Sequence, residues 1–460
     1  MLNQIESALS KLVDVVWGLP TVLLLVLSGL FLSVLLGENF FFIQVRAIIH
    51  AFKVISGVYD NPNDPGEISH FQALTTALSG TIGLGNIGIV AIIIKLGGPG
   101  AIFWMFVAGF FGMATKYAES TLAIKYRVVL KDGTIRGGPM YYILNGLGEK
   151  FRPLAIFYSF AIAIGAFGIS NMFQTNQSAD ILYQSFGVPH LVTGISMSLL
   201  AGLVIIGGIA RIGKVTSIIV PLMAVTYIGG CLTVLAIHVA ELPRLFFLIL
   251  SGAFAPASLG GGIVFTAHLA MIQGIRRACF SNEAGLGSAA IAHSAANTNE
   301  PVREGVVALI EPMLDTMIIC TMSALVILVT GVWQTSEKIG VSLTAQAFDS
   351  VLPGFGHYFI PIAATLFAFS TLISWSYYGE IAVDFIFGRK AIIPYKVLFC
   401  LIATMGSIWQ IQAVLDFSDL MTGMMIFPNL LAIWWLFPVL KKETKTYFEK
   451  LKKNEFIRYR

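Results

Sequence analysis

Charge is scarce in this chain: only 12% of its 460 residues are Asp, Glu, Lys or Arg, against about 25% in a soluble domain. That scarcity, with 56% hydrophobic residues, excludes an ordinary water-soluble globule and indicates a polytopic membrane protein. Cysteine is sparse too. Cys231, Cys279, Cys320 and Cys400 lie in or beside apolar stretches without metal-ligand spacing, so they read as small packing residues, with no disulfide or zinc site. The histidines form no His-Glu-x-x-His pair and no Gly-x-Ser-x-Gly elbow occurs, so neither hydrolase signature is present. No linker rich in Pro, Ser or charge divides the chain. The first apolar segment lacks a basic start and a small-residue cleavage site, and reads as a retained span.

Eleven stretches are long and apolar enough to cross a bilayer, near 17–36, 69–94, 99–125, 153–184, 190–208, 212–238, 244–275, 305–331, 358–386, 392–411 and 414–438. With the N-terminus outside, all but Lys11, Lys95, Arg244 and Lys338 of the 29 basic residues fall on the cytoplasmic side. This asymmetry predicts an odd number of spans, a cytoplasmic C-terminus and a multi-pass protein of the cell (inner) membrane. The basic tail at 441–460 is expected to meet anionic lipid or water, not nucleic acid. Residues 1–67 read as an N-terminal span and connector, and 68–440 as one core.

What the core does contain is an interruption. Ser79-Gly80-Thr81-Ile82-Gly83-Leu84-Gly85-Asn86-Ile87-Gly88 places four glycines and several polar side chains inside an apolar stretch. Each glycine weakens a helix by roughly 1 kcal/mol relative to alanine. Irregular backbone at membrane depth survives only where protein buries it or a cavity hydrates it. Five spans later, Ala255-Pro256-Ala257-Ser258-Leu259-Gly260-Gly261-Gly262 is a second such run. Paired interruptions in two halves point to a transporter with inverted repeats, here about 68–240 and 241–440. The competing account is plain helix packing through small residues. A dinucleotide fingerprint at Gly83 to Gly88 fails, because neither the preceding strand nor the following acidic residue is there.

Polar residues in the other spans allow more than one reading. Glu119, Asp180, Glu283, Glu311, Asp315, Glu380 and Asp384 could act at membrane depth, pair in gates or be hydrated, and Glu311 and Asp315 could share a helix face. Asn171 to Gln177 is too polar to face lipid. Ser370 and Thr371 could bond back to their own helix or, with the Phe367 carbonyl, offer hard oxygens to a small cation. Trp375 and Phe173 either pack or wall a cavity.

Several motifs in order carry a family likeness: Gly80 to Asn86, Gly97-Gly98-Pro99-Gly100-Ala101, Phe111 to Glu119, Gly137-Gly138-Pro139-Met140-Tyr141-Tyr142, Phe280 to Ser288, Phe367 to Thr371 and Trp375 to Glu380. Over roughly 65–440 the chain resembles the sodium:alanine symporters, the alanine or glycine:cation symporter family. The resemblance implies an all-α fold of about 11 transmembrane helices: a five-plus-five inverted-repeat core like that of the bacterial leucine transporter, plus one N-terminal helix. It implies substrate contacts at Thr81, Gly83, Leu84, Gly85, Asn86, Gln174 and Trp375, with the carboxylate at the amides near Leu84 and Gly85. It implies a sodium site made of the carbonyls of Ser79, Ile82 and Phe367 and the hydroxyls of Ser370 and Thr371. The expected protein is no enzyme and has no cofactor beyond the coupling sodium ion. It is a symporter carrying a small neutral amino acid, alanine or glycine, inward with sodium. The alternative on the same scaffold is coupling to protons or carriage of glutamine.

Overall fold

In lipid every backbone N–H and C=O must be satisfied inside the segment, so long apolar runs become helices. The computed structural model describes residues 10–38, 42–254, 258–260 and 263–459. Its main helices are α1 (Leu19–Leu35), α2 (Ile43–Ile55), α3 (His70–Thr81), α4 (Val90–Gly97), α5 (Gly100–Lys125), α6 (Arg152–Phe167), α7 (Phe173–Phe186), α8 (His190–Ile205) and α9 (Gly208–Ile237). They continue as α10 (Leu242–Phe254), α11 (Ala267–Asn282), α12 (Ala289–Ser294), α13 (Pro301–Thr330), α14 (Gly340–Asp349), α15 (Ile360–Phe387), α16 (Ile392–Gly406), α17 (Ile411–Trp435) and α18 (Phe437–Lys452). Among the described residues, seven helices are long and apolar enough to cross a bilayer alone, and α3 with α4 makes an eighth, bent by 45°. Helices α8 and α16, of 16 and 15 residues, are shorter apolar spans.

The break between α3 and α4 falls where the glycines predict it. Helix α3 starts from a reciprocal cap: Ser69 Oγ accepts from Gln72 N at 3.3 Å, and Gln72 Oε1 accepts from Ser69 N at 3.0 Å. It stops at Thr81, because Ile82 adopts φ −75° and ψ 84° and Gly83 N bonds back to Thr81 O at 2.9 Å, an inverse γ-turn. A π-helical turn, Gly85–Ile89, then leads into α4.

The second break lies elsewhere than expected. Helix α11 ends at Asn282, Glu283 turns left-handed (φ 58°), Gly285 and Gly287 have φ 92° and 77°, and α12 begins at Ala289. Of the Ala255 to Gly262 run, Ser258–Gly260 pairs with Ile263–Phe265 as a short antiparallel hairpin, and 255–257 and 261–262 lie outside the described residues. Span seven, read over 244–275 with an interruption at 255–262, is two helices, α10 and α11, with that hairpin between them; the break that faces the first one is a further one, Glu283 to Ser288.

Helix α5 packs against α11, α12 and α13, while α15 packs against α6, α7 and α9; α3 touches both groups. The two breaks meet where these groups face each other. Several cations assigned to cytoplasmic segments lie within helices. Lys116 is in α5, fully buried, and Arg276 and Arg277 are in α11, where both pair with Asp419 of α17. A π-helical turn, Met313–Cys320, interrupts α13, so Glu311 and Asp315 bond separate partners rather than sharing one.

Candidate functional site

All the sequence-predicted site residues are buried, and the structure brings them to the first break and the helices beside it. On the α15 side, Thr371 Oγ1 donates to Ser79 O at 2.8 Å and also lies 3.1 Å from Phe367 O. Ser370 Oγ donates to Phe367 O at 2.9 Å, and Ser79 Oγ donates to Ser370 O at 3.0 Å and bonds Ser374 Oγ. Ile82 lies in the turn that ends α3. These are carbonyl and hydroxyl oxygens only, gathered from two helices with no carboxylate among them, a donor set suited to a hard monovalent cation.

On the other side of the break the amides are occupied by side-chain oxygens. Gly83 N donates to Asn86 Oδ1 at 3.0 Å, and Leu84 N donates to Gln174 Oε1 at 3.1 Å. Gln174 reaches this point because α7 starts from a π-helical turn, Gly168–Met172, and the polar run Asn171 to Gln177 is buried as its composition requires. Asn171 and Asn176 donate to carbonyls of α16 and its end, namely Phe399, Gly406 and Trp409. A Cβ at Gly83 would collide with Thr371 Oγ1 and meet Gln174 at 3.2 Å, so this position needs glycine to let three segments meet. At Gly85 a Cβ has ordinary contact with Ser281, 3.6 Å away. Thr81 Oγ1 bonds back to Ala77 and Leu78 carbonyls, the usual fate of a buried hydroxyl.

Trp375 stands at the second break. Its indole Nε1 donates to Glu283 Oε1 at 2.7 Å, and Ser288 Oγ donates to the other oxygen of Glu283. A non-glycine residue held left-handed at a helix end is strained, and Glu283 is held there by both contacts.

Asp315, which the sequence raised only as one of seven acids in or near the spans, lies beside the first break. Its fully buried carboxylate accepts from Asn86 Nδ2 at 2.7 Å, Ser281 Oγ at 3.0 Å and Thr316 Oγ1 at 2.7 Å, all neutral donors. Among the described residues it forms no ion pair. Cys320 Sγ sits 3.3 Å from both Asn86 Nδ2 and Ser281 Oγ. A sequence signal existed: an acid in an apolar span, beside Thr316 and one turn from Cys320.

At one end of the site, the halves α3 and α12 are clamped together. Ile68 N and Glu67 N donate to Ala295 O, and Asn297 N donates to Ile68 O at 2.9 Å. Arg127, just past the end of α5, donates to four carbonyls: Ser294 and Ala296 at 2.7 Å, Pro65 at 2.8 Å and Thr298 at 2.5 Å. Burial lowers its guanidinium to about 10, so it stays charged at neutral pH. Toward the other end, a cleft lined by Asn176, Gln177, Asp180 and Ile339 stops one helical turn past Gln174.

The model of the sodium:alanine symporter family matches residues 2–459. A sodium/alanine symporter, AgcS, from Methanococcus maripaludis is 43% identical over 445 residues, covering 96% of both chains. A probable sodium/glutamine symporter, GlnT, from Bacillus subtilis is 34% identical over 94% of this chain and 89% of its own. Among solved structures, MhsT in complex with L-phenylalanine superposes with a TM-score of 0.57 at 15% identity, over 81% of this chain and 89% of its own.

Proposed function

This chain belongs to the sodium:alanine symporter family, and from that premise we propose that it moves alanine or glycine inward together with sodium, through the buried site at the first break. Sodium-coupled amino-acid symport on a leucine-transporter-like fold is common ground for the family and the structural likeness; the residue roles and the choice of solute are the proposal.

The observation that carries it is the bond from Thr371 Oγ1 to the Ser79 carbonyl, with the Phe367 carbonyl beside it. Sodium held by Ser79, Ile82, Phe367, Ser370 and Thr371 replaces hydrogen bonds that already join α3 to α15. Ion occupancy thus favours closure of the two helix groups on each other. The substrate carboxylate takes the Gly83 and Leu84 amides in place of the Asn86 and Gln174 oxygens that now accept from them. Gly85 and Asn86 shape the turn, and Trp375 closes the second break.

Leu84 and Gln174 are buried and meet at 3.1 Å, which supports a small side chain over glutamine. The charge asymmetry of the loops supports an extracellular N-terminus and a cytoplasmic tail in the cell membrane, placing the Arg127 clamp on the inner face.

The test is sodium-dependent binding of a panel of small amino acids to the purified protein. Alanine or glycine should bind only with sodium and more tightly than glutamine. Binding that ignores sodium, or that favours glutamine, contradicts the assignment.

A further inference from the structure

A chain of ionisable side chains unused by the sodium and substrate sites runs through the α3, α5, α12 and α13 helices. His293 of α12 has a carboxylate at each ring nitrogen: Glu304 Oε1 lies 2.6 Å from Nδ1 and Glu311 Oε1 lies 2.5 Å from Nε2. Glu304 also bonds His70 Nδ1 on α3, and Glu311 bonds Lys116 Nζ on α5 at 3.1 Å. All five groups are buried, at 1% exposure or less. A neutral imidazole has one N–H and one lone pair. Between two carboxylates, one of its nitrogens would then face an oxygen with no hydrogen between them. The triad therefore holds a proton beyond the ordinary imidazole N–H, either as imidazolium or on a carboxyl. At 0% exposure, leaving it out would oppose lone pairs in a medium that screens poorly.

The same chain has an outlet. Among the described residues His70 Nε2 is buried without a hydrogen-bond partner, and so is Asp60 Oδ1; the two face each other at 3.9 Å, a gap that one water can bridge. The Asp60 side chain is 39% exposed. A proton arriving at His70 Nε2 releases the Nδ1 proton to Glu304 Oε2; a turn of the protonated carboxyl brings that proton to face His293 Nδ1, which takes it, and the Glu304 carboxylate is restored.

We propose that Glu304, His293 and Glu311 form a proton-binding site, filled and emptied through His70 and Asp60 from the face where Asp60 lies, whose occupancy sets whether the α3, α5, α12 and α13 helices move as one body during transport. With the proton in place both His293 contacts tie α12 to α13; without it one of the two becomes repulsive. The site does not depend on which amino acid is carried, so its failure and that of the substrate assignment are separable.

The charges around the site come from every side. Lys116 and Glu119 belong to α5, with Arg127 past its end; Glu283 sits at the second break and Tyr378 on α15. Other neighbours are engaged elsewhere: His50 of α2 bonds Tyr447 of α18, Arg303 of α13 bonds the Tyr59 carbonyl, Arg136 pairs with Asp384 and Lys450 of α18 pairs with Glu300. Helix α9 meets α3 through Thr216, 3.1 Å from Thr76.

The test uses the full-length protein with labelled histidine, the His293 resonance being assigned by its loss in His293→Gln. His70→Gln keeps a donor for Glu304 but cannot pass a proton. The His293 proton should exchange with solvent in the wild type and at least about tenfold more slowly in His70→Gln, while sodium-dependent alanine binding persists. In liposomes driven by a sodium gradient, raising the pH on the Asp60 face from about 6 to about 9 should lower wild-type alanine uptake about fivefold, and His70→Gln should flatten that profile. Equal exchange rates in the two proteins, or wild-type uptake indifferent to pH on that face, would overturn the proposal. If His70→Gln does not fold, the wild-type pH response read separately on each face decides: a response confined to the opposite face also overturns it.

Discussion

Asn86 Nδ2 lies 2.7 Å from Asp315 Oδ1, while the other end of the same amide accepts from Gly83 N at 3.0 Å. One side chain thus links the turn that ends α3 to a buried carboxylate on α13.

Because Asp315 is bonded, among the described residues, only by neutral donors, a charge there is held without an ion pair, and it is expected to serve as a negative pole for a cation beside the first break. Asp315→Asn should leave the melting temperature equal or higher and weaken sodium-dependent alanine binding by about tenfold, or about 1.4 kcal/mol. Thermal shift and calorimetry on one preparation check both halves; unchanged binding removes Asp315 from the site.

Thr371→Ala deletes the hydroxyl that joins Ser79 and Phe367. The sodium concentration for half-maximal uptake should rise about tenfold, while Thr371→Ser, which keeps the oxygen, should stay within about threefold of wild type. Uptake measured against sodium in proteoliposomes reads the difference.

Gly83→Ala and Gly85→Ala separate the two glycines. The first places a methyl group against Thr371 Oγ1 and Gln174 and should abolish sodium-dependent binding; the second meets only Ser281 at 3.6 Å and should cost less than about 1 kcal/mol. Equal losses in both would contradict the placement of the site at Gly83.

Arg127→Gln loses charged bonds to four carbonyls. A loss of stability of about 2–4 kcal/mol is expected. Cys320, buried beside Asn86, should become faster to alkylate in a variant whose other cysteines are replaced by alanine. Alkylation at the wild-type rate would mean that the clamp does not guard the site.

Much of this was legible in the chain. Four glycines in ten residues of an apolar stretch mark the first break because each removes helix stability and none offers a side chain to lipid. Ser370 and Thr371, with Phe367 one turn earlier, marked the oxygens that now meet Ser79. The second break was misplaced because glycine density drew it to 255–262, whereas the chain turns at Glu283 with only Gly285 and Gly287 to help. There a charged residue in a left-handed conformation does what density alone did not reveal, and Trp375, 92 positions away, completes it. The Lys116 to His70 chain was hidden for a similar reason: its members lie on four helices. Glu311 and Asp315, one turn apart in sequence, bond different partners, His293 and Lys116 for the first and Asn86 and Ser281 for the second, with a π-helical segment beginning at Met313 that spacing rules do not foresee.

The four carbonyls gathered by Arg127 belong to both broken helices: Pro65 precedes α3, Ser294 ends α12, and Ala296 and Thr298 follow it. A gate built from two leaves can let one swing while the other stays shut, and such half-opening is how ions slip through a carrier unaccompanied. Here both leaves hang on a single latch, so the inexpensive motion is the joint one, and leakage of sodium without its passenger becomes the rarer event.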